Sequence, residues 1–145
     1  MNTRYFVLII GLLGARKAEF LRRISLGERY LIDINNYRGT KRQRMRQFIA
    51  DLNRCLENRL TVVINGDLLT KNHRLFYFSL ARQHNMSVYS IDFGLGTLNE
   101  YQSYHSSPRI DRASIEKYYA ECVNAFQKPE LSEGFSRIIQ CNDFS

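Results

Sequence analysis

Residues 5–19 read YFVLIIGLLGARKAE, a strand-like apolar run that breaks at a glycine and delivers a lysine to the start of an amphipathic helix. A strand, a glycine turn and a helix in that order nearly make a phosphate-binding loop. In the standard pattern, G-x-x-x-x-G-K-[ST], glycines let successive backbone N–H groups converge on phosphate oxygens, the lysine adds a point charge, and the hydroxyl ligates Mg²⁺. Gly11, Gly14 and Lys17 stand where that geometry wants them, with Ala15 between. Arg16 takes the place of the second glycine, and Ala18 takes the place of the hydroxyl residue. Such a turn keeps its charge and lacks its metal ligand.

Two plainer readings compete. Arg4, the apolar core from Tyr5 to Leu13 and the small Gly14 and Ala15 also sketch a secretory signal peptide. Removing that segment would take away the best core strand, and a secreted chain with three cysteines leaves one unpaired. The run is too short to span a membrane. The other alternative is a buried strand followed by an ordinary glycine turn. Cys55, Cys122 and Cys141 are scattered and form no C-x-x-C pair, which predicts reduced thiols in a cytoplasmic protein and no zinc site. His73, His84 and His105 sit beside no acidic partner at ligand spacing and read as surface or helix-end residues.

The 145 residues, with 44% hydrophobic content and no repeat, suit one domain with one core. Tyr5–Ile10, Tyr30–Ile34, Leu60–Ile64, Val88–Phe93 and Arg137–Cys141 have the short apolar character of strands buried on both faces. Between them, Met45, Phe48, Ile49, Leu52 and Leu56 recur at helical spacing, as do Ile115, Tyr118, Tyr119, Cys122, Val123 and Phe126. Asn72–His84 reads as a third helix with Leu75, Phe76, Ser79 and Leu80 grouped. This alternation predicts an α/β fold: a parallel five-stranded sheet with helices on both faces and a ligand site at the carboxyl ends of its strands.

The formal net charge of +7 is unevenly placed. Through Arg59 the chain holds 13 Lys and Arg against 5 Asp and Glu, and beyond it 8 against 9. Arg38, Lys41, Arg42, Arg44 and Arg46 cluster at a helix start, which is either a solvated face or a polyanion-binding surface. Tyr37 beside them is a candidate for stacking on a base.

Taken together, these stretches resemble the P-loop polynucleotide kinases, which phosphorylate 5'-hydroxyl ends of DNA or RNA. VLIIGLLGARKAEF is similar to the family's first strand and loop, and YLIDINNYRGT to its second strand with an N-R-D type ending. TVVINGDLLTKNHRLFYFSLARQHN, SVYSIDF and PELSEGFSRIIQCNDF resemble the third strand and helix, the next strand, and the closing P-x-x-x-E-G-F-x-x-I segment. The resemblance implies a P-loop kinase-like fold, ATP or another nucleoside triphosphate as ligand, and a nucleic-acid 5' end or a protein as partner. Ser132 and Glu133, before Gly134 and Phe135, read as turn and packing residues, and the resemblance places them at a wall near the adenine.

The departures fall on the chemistry. The family's substrate-activating aspartate falls on Asn35, and an amide cannot take a proton from a 5'-hydroxyl. Asp33, on the same strand face if the strand continues, is the substitute. The aspartate of the third strand falls on Gly66, with Asp67 one residue late and facing the opposite side of an extended strand. The lid corresponds to Gly94–Pro108, which contains no arginine, leaving Arg109 and Arg112 beyond it. Tyr101, Tyr104 and His105 in that segment read either as rings that stack on a base or as an aromatic loop packing over the sheet. The expectation is therefore a degenerate, pseudokinase-like protein that binds nucleotide phosphate or nucleic acid, with Mg²⁺ doubtful because of Ala18. One alternative is an active kinase with a relocated site, using Asp33 as base, Asp67 for Mg²⁺ through water, and Arg109 or Arg112 as lid. The other is a nucleic-acid-binding or protein-interaction module built on Arg38 to Arg46. The expected compartment is the cytoplasm, that of a host cell if so small a domain is virus-encoded.

Overall fold

Five short strands lie in one sheet in the order β2-β3-β1-β4-β5, every neighbour parallel. They are β1 (Tyr5–Ile10), β2 (Arg29–Asp33), β3 (Thr61–Asn65), β4 (Ser87–Asp92) and β5 (Arg137–Gln140). The computed structural model describes residues 4–12, 14–24, 29–105 and 111–141. The helices are α1 (Ala15–Arg23), α2 (Lys41–Glu57), α3 (Lys71–Gln83), α4 (Leu98–His105) and α5 (Arg112–Ala125). The α/β architecture expected from strand–helix alternation is present. No helix among the described residues is long and apolar enough to cross a membrane.

Local chemistry sets the helix starts. Thr40 and Gln43 form a reciprocal capping box at α2, Thr70 accepts from the His73 N–H at α3, and Asp111 accepts from the Ala113 N–H at α5. Helix α1 opens at Gly14 with no side-chain cap.

Alternation along the strands divides the core in two. Phe6, Leu8, Ile10, Ile32, Val62, Ile64 and Val88 face α2 and α3, meeting Leu52, Cys55, Leu56, Tyr77, Phe78 and Ala81. Ile9 and Val63, with Val7, Leu31 and Ile91, face α1 through Phe20, Leu21 and Ile24. A smaller cluster of Leu12, Leu69 and Cys122, with Leu95, Tyr101, Tyr119 and Phe126, seats α4 and α5 against the turns that leave the strands.

Helix α3 departs from its apolar pattern. Leu75 and Phe76 are 62% and 46% exposed, while Arg74, Tyr77, Phe78 and Ala81 face inward. The cause is Arg74, whose side chain is wholly buried. Its Nε and Nη2 donate to the two carboxylate oxygens of Glu133 at 2.9 and 3.0 Å, and Nη1 and Nη2 donate to the Leu68 and Gln127 carbonyls at 2.8 and 2.9 Å. A guanidinium satisfied in this way outranks the exposed apolar pair in setting the helix's rotation. The segment expected as a lid loop also differs: Leu98–His105 forms α4, whose Gln102 amide donates to Glu116 of α5 at 3.1 Å, while the Tyr119 hydroxyl donates to the Gly96 carbonyl in the turn before α4 at 2.6 Å.

Replacing Arg74 by Ala removes the buried cation that pairs with Glu133 and the donors to the Leu68 and Gln127 carbonyls. A loss of about 3–5 kcal/mol in urea unfolding is expected, with the double change Arg74→Leu, Glu133→Leu costing less than Arg74→Ala alone.

Candidate functional site

The carboxyl ends of β1, β3 and β4 converge on one turn. The Gly11 N–H donates to the Asp67 carbonyl at 3.0 Å and the Leu12 N–H to the Gly94 carbonyl at 3.2 Å, tying the exits of the three strands together. Gly11 has φ +127°, and a Cβ there would lie 2.4 Å from the Gly94 carbonyl oxygen, so only glycine fits.

Beneath this turn lies Lys17, 2% exposed. Its ammonium donates to the Gly11 carbonyl at 2.6 Å and the Gly66 carbonyl at 2.8 Å. Burial lowers its pKa from 10.5 to about 8, with the negative charges of Asp67 and Asp33 acting in the opposite direction. At neutral pH the group is therefore still a cation. It is neutralised in part by two carboxylates and held by two carbonyls.

The two aspartates differ from their expected placement. Strand β3 ends at Asn65 and the chain bends at Gly66, so Asp67 does not continue the strand's alternation. Its carboxylate acts on Lys17 and accepts from the Tyr118 hydroxyl of α5 at 3.1 Å. Strand β2 likewise ends at Asp33, because that carboxylate accepts from the Asn35 N–H at 3.0 Å and starts a 3-10 turn over Ile34–Asn36. Asp33 and Asn35 thus do not share a strand face. Asn35 is exposed, and its carbonyl accepts from Arg38 at 3.0 Å. Asn65, in register with Ile9 and Asp33, is 1% exposed, and its Oδ1 has no hydrogen-bond partner among the described residues.

A cleft of about 760 Å³ opens beside the turn. Gly14, Arg16 and Lys17 line it together with Phe93 to Thr97 after β4 and with Glu100, Tyr101 and Tyr104 of α4. Ala15 begins α1, and Ala18, one turn in, contributes a methyl group and donates its N–H to the Gly14 carbonyl at 2.9 Å. The fit to Mg²⁺ is poor: Ala18 has no oxygen, the Asp67 carboxylate is engaged by Tyr118, and no cluster of three metal-ligating side chains occurs among the described residues.

The other expected site residues are dispersed. Arg112 is exposed and paired with Glu116 at 3.5 Å on its own helix, and Arg109 lies outside the described residues. Tyr37 is half-buried, its hydroxyl donating to Asp51 at 2.7 Å and its ring meeting Phe48 edge-on at 6.3 Å. The cationic run splits around α2. Lys41 and Arg44 border a second hollow, between α2 and α3, whereas Arg38, Arg42 and Arg46 are exposed away from it. Glu133 is the partner of buried Arg74, an assignment that spacing alone does not reveal.

Against this geometry stand the comparisons with known proteins. No protein-family model matches the chain, and no curated protein matches it.

The lowered pKa of Lys17 has a signed consequence. Between about pH 8 and 10.5 the unfolded chain binds the proton that the folded chain has released, so this group's contribution to stability rises with pH. In urea unfolding, the stability of the wild-type protein relative to Lys17→Met is expected to increase by about 2 kcal/mol from about pH 7.5 to about pH 10.

Proposed function

We propose that this chain is a polynucleotide-kinase-like protein that receives the phosphates of a nucleoside triphosphate, or of a nucleic-acid 5' end, at the turn between β1 and α1, and that it transfers phosphoryl groups poorly or not at all. The carrying observation is the Lys17 ammonium, a buried cation at the carboxyl edge of a parallel sheet and on the wall of a cleft. The uncapped start of α1 adds the positive end of a helix dipole at the same place. A phosphate oxygen entering there takes over from one of the two carbonyls that Lys17 now holds. The cost of burying the ammonium falls as an anion reaches it, which favours binding. Arg16 supplies a second cation on the same wall without any metal.

Transfer asks for more. Phosphoryl transfer depends on positioning and on neutralising charge as it moves. Ala18 holds no metal, Asn35 cannot accept a proton, and the only described arginine beyond the lid segment up to β5, Arg112, lies on the exposed face of α5 beside Glu116. Losing one positioned electrostatic group costs about two to three orders of magnitude in rate. The relocated-site alternative is weakened in the same way, because Asp33 already caps its own turn and Asp67 is held by Tyr118. Exposed Arg38, Arg42 and Arg46, with no ion pair among the described residues, support contact with the backbone of a nucleic acid.

Thermal unfolding with ATP tests the reading. Stabilisation is expected in EDTA as well as with Mg²⁺, by about 2.7 kcal/mol at a hundredfold excess over Kd, and should disappear in Lys17→Met and weaken in the exposed-site variant Arg16→Ala. Absence of any shift with ATP or a 5'-phosphorylated oligonucleotide would overturn phosphate binding. Lys17-dependent turnover on 5'-hydroxyl oligonucleotides would overturn the loss of transfer.

A further inference from the structure

The hollow between α2 and α3 has a character of its own. It encloses about 430 Å³ and is floored by Met45, Phe48 and Ile49 of α2 and Phe76 and Tyr77 of α3. Met45, Ile49 and Phe76 are 54%, 38% and 46% exposed, an unusual outlay of apolar surface beside Leu75 at 62%. The rim is cationic: Lys41 and Arg44 stand on it with no ion pair among the described residues, and no acidic side chain lines it. Apolar positions recur along α2 at 45, 48 and 49, the spacing with which one helix receives another. The rings of the floor pack on one another rather than standing apart in parallel. Phe48 meets Tyr77 at 86°, Phe76 meets Tyr77 at 79°, and Tyr37 meets Phe48 at 78°, so they lock edge to face. Base stacking needs flat faces, whereas aliphatic side chains pack well over such edges and over an adaptable methionine.

We propose that this valley is a docking site for an acidic amphipathic helix of a partner protein. The apolar stripe of that helix covers Met45, Ile49 and Phe76, and its carboxylates face Lys41 and Arg44. Charge selects the partner: a basic or neutral helix would cover the same apolar floor and leave the two cations uncompensated. The groove uses no residue of the phosphate turn, so the failure of ATP binding would leave this inference standing, and the reverse holds too.

The probe is a labelled helical peptide of about 14 residues, long enough to cross the valley, with Leu at i, i+3, i+4 and i+7 and Glu elsewhere. Fluorescence anisotropy is expected to show micromolar binding, with methyl shifts at Met45 and Ile49 in NMR. The charge reversal Lys41→Glu, Arg44→Glu should weaken the Glu peptide at least tenfold and strengthen its Lys counterpart, whereas Arg82→Glu, on exposed α3 surface, should change neither. Met45→Asp should also abolish binding of the Glu peptide, with circular dichroism confirming the fold. Equal binding by a scrambled or Lys peptide to the wild-type protein would overturn the proposal. So would displacement of the peptide from those methyls by single-stranded oligonucleotide, or concentration-dependent shifts at them without peptide, which would mark the face as a surface for nucleic acid or for a second copy.

Discussion

One buried ammonium holds the upper edge of this sheet together. Lys17 reaches from α1 across the top of β1 to the chain leaving β3, and its two hydrogen bonds to the Gly11 and Gly66 carbonyls close the ends of two strands around a single cation. A charge so deeply buried persists only where its donors are satisfied and opposite charge is near. Both conditions are met here, by the two carbonyls and by Asp67 and Asp33. The turn above the lysine is correspondingly tight, because Gly11 must pass the Gly94 carbonyl without a side chain. The cleft, the start of α1 and the placement of α5 through Tyr118 and Asp67 all follow from that closure.

The same closure bears on chemistry. A lysine that serves backbone carbonyls contributes to folding, and it contributes to ligand binding only by exchanging one of those partners. Phosphate is the natural competitor, since its charged oxygens make stronger hydrogen bonds to an ammonium than a neutral carbonyl does. Mg²⁺ has no comparable foothold beside a methyl group at Ala18. The proposed function separates binding from transfer on these grounds.

A second buried cation, Arg74, shapes the other side of the molecule. Its bidentate pair with Glu133 joins α3 to the segment before β5 and sets the rotation that leaves Phe76 and Leu75 outward. Arg74 shares its inward face with Tyr77, Phe78 and Ala81, and burying that face leaves Phe76 beside the apolar valley next to α2. Two buried positive groups, each matched to acidic and carbonyl partners both near and distant in sequence, thus stand close to the two hollows described.

The sequence by itself determined the strands and most helices, because runs such as Tyr5–Ile10 and the capped start at Thr40 carry their structure in local pattern and local hydrogen bonds. It also determined which chemical groups stand beside the glycine turn: Arg16, Lys17 and Ala18 can be read directly. Only the tertiary structure decided where the strands stop and where the side chains then point. Asp33 and Asp67 lie just where extended alternation ends, and a one-residue bend at Gly66 sends Asp67 to Lys17 and Tyr118. The inward face of α3 was likewise hidden, since hydrophobic periodicity cannot register an arginine whose partner lies 59 residues away. Helix α4 carried too weak an apolar stripe to be distinguished from a loop, and it gains its support from contacts with α5. Local sequence specifies local structure. Long-range pairing of buried charge decides the rest, because that energy exists only once distant segments have met.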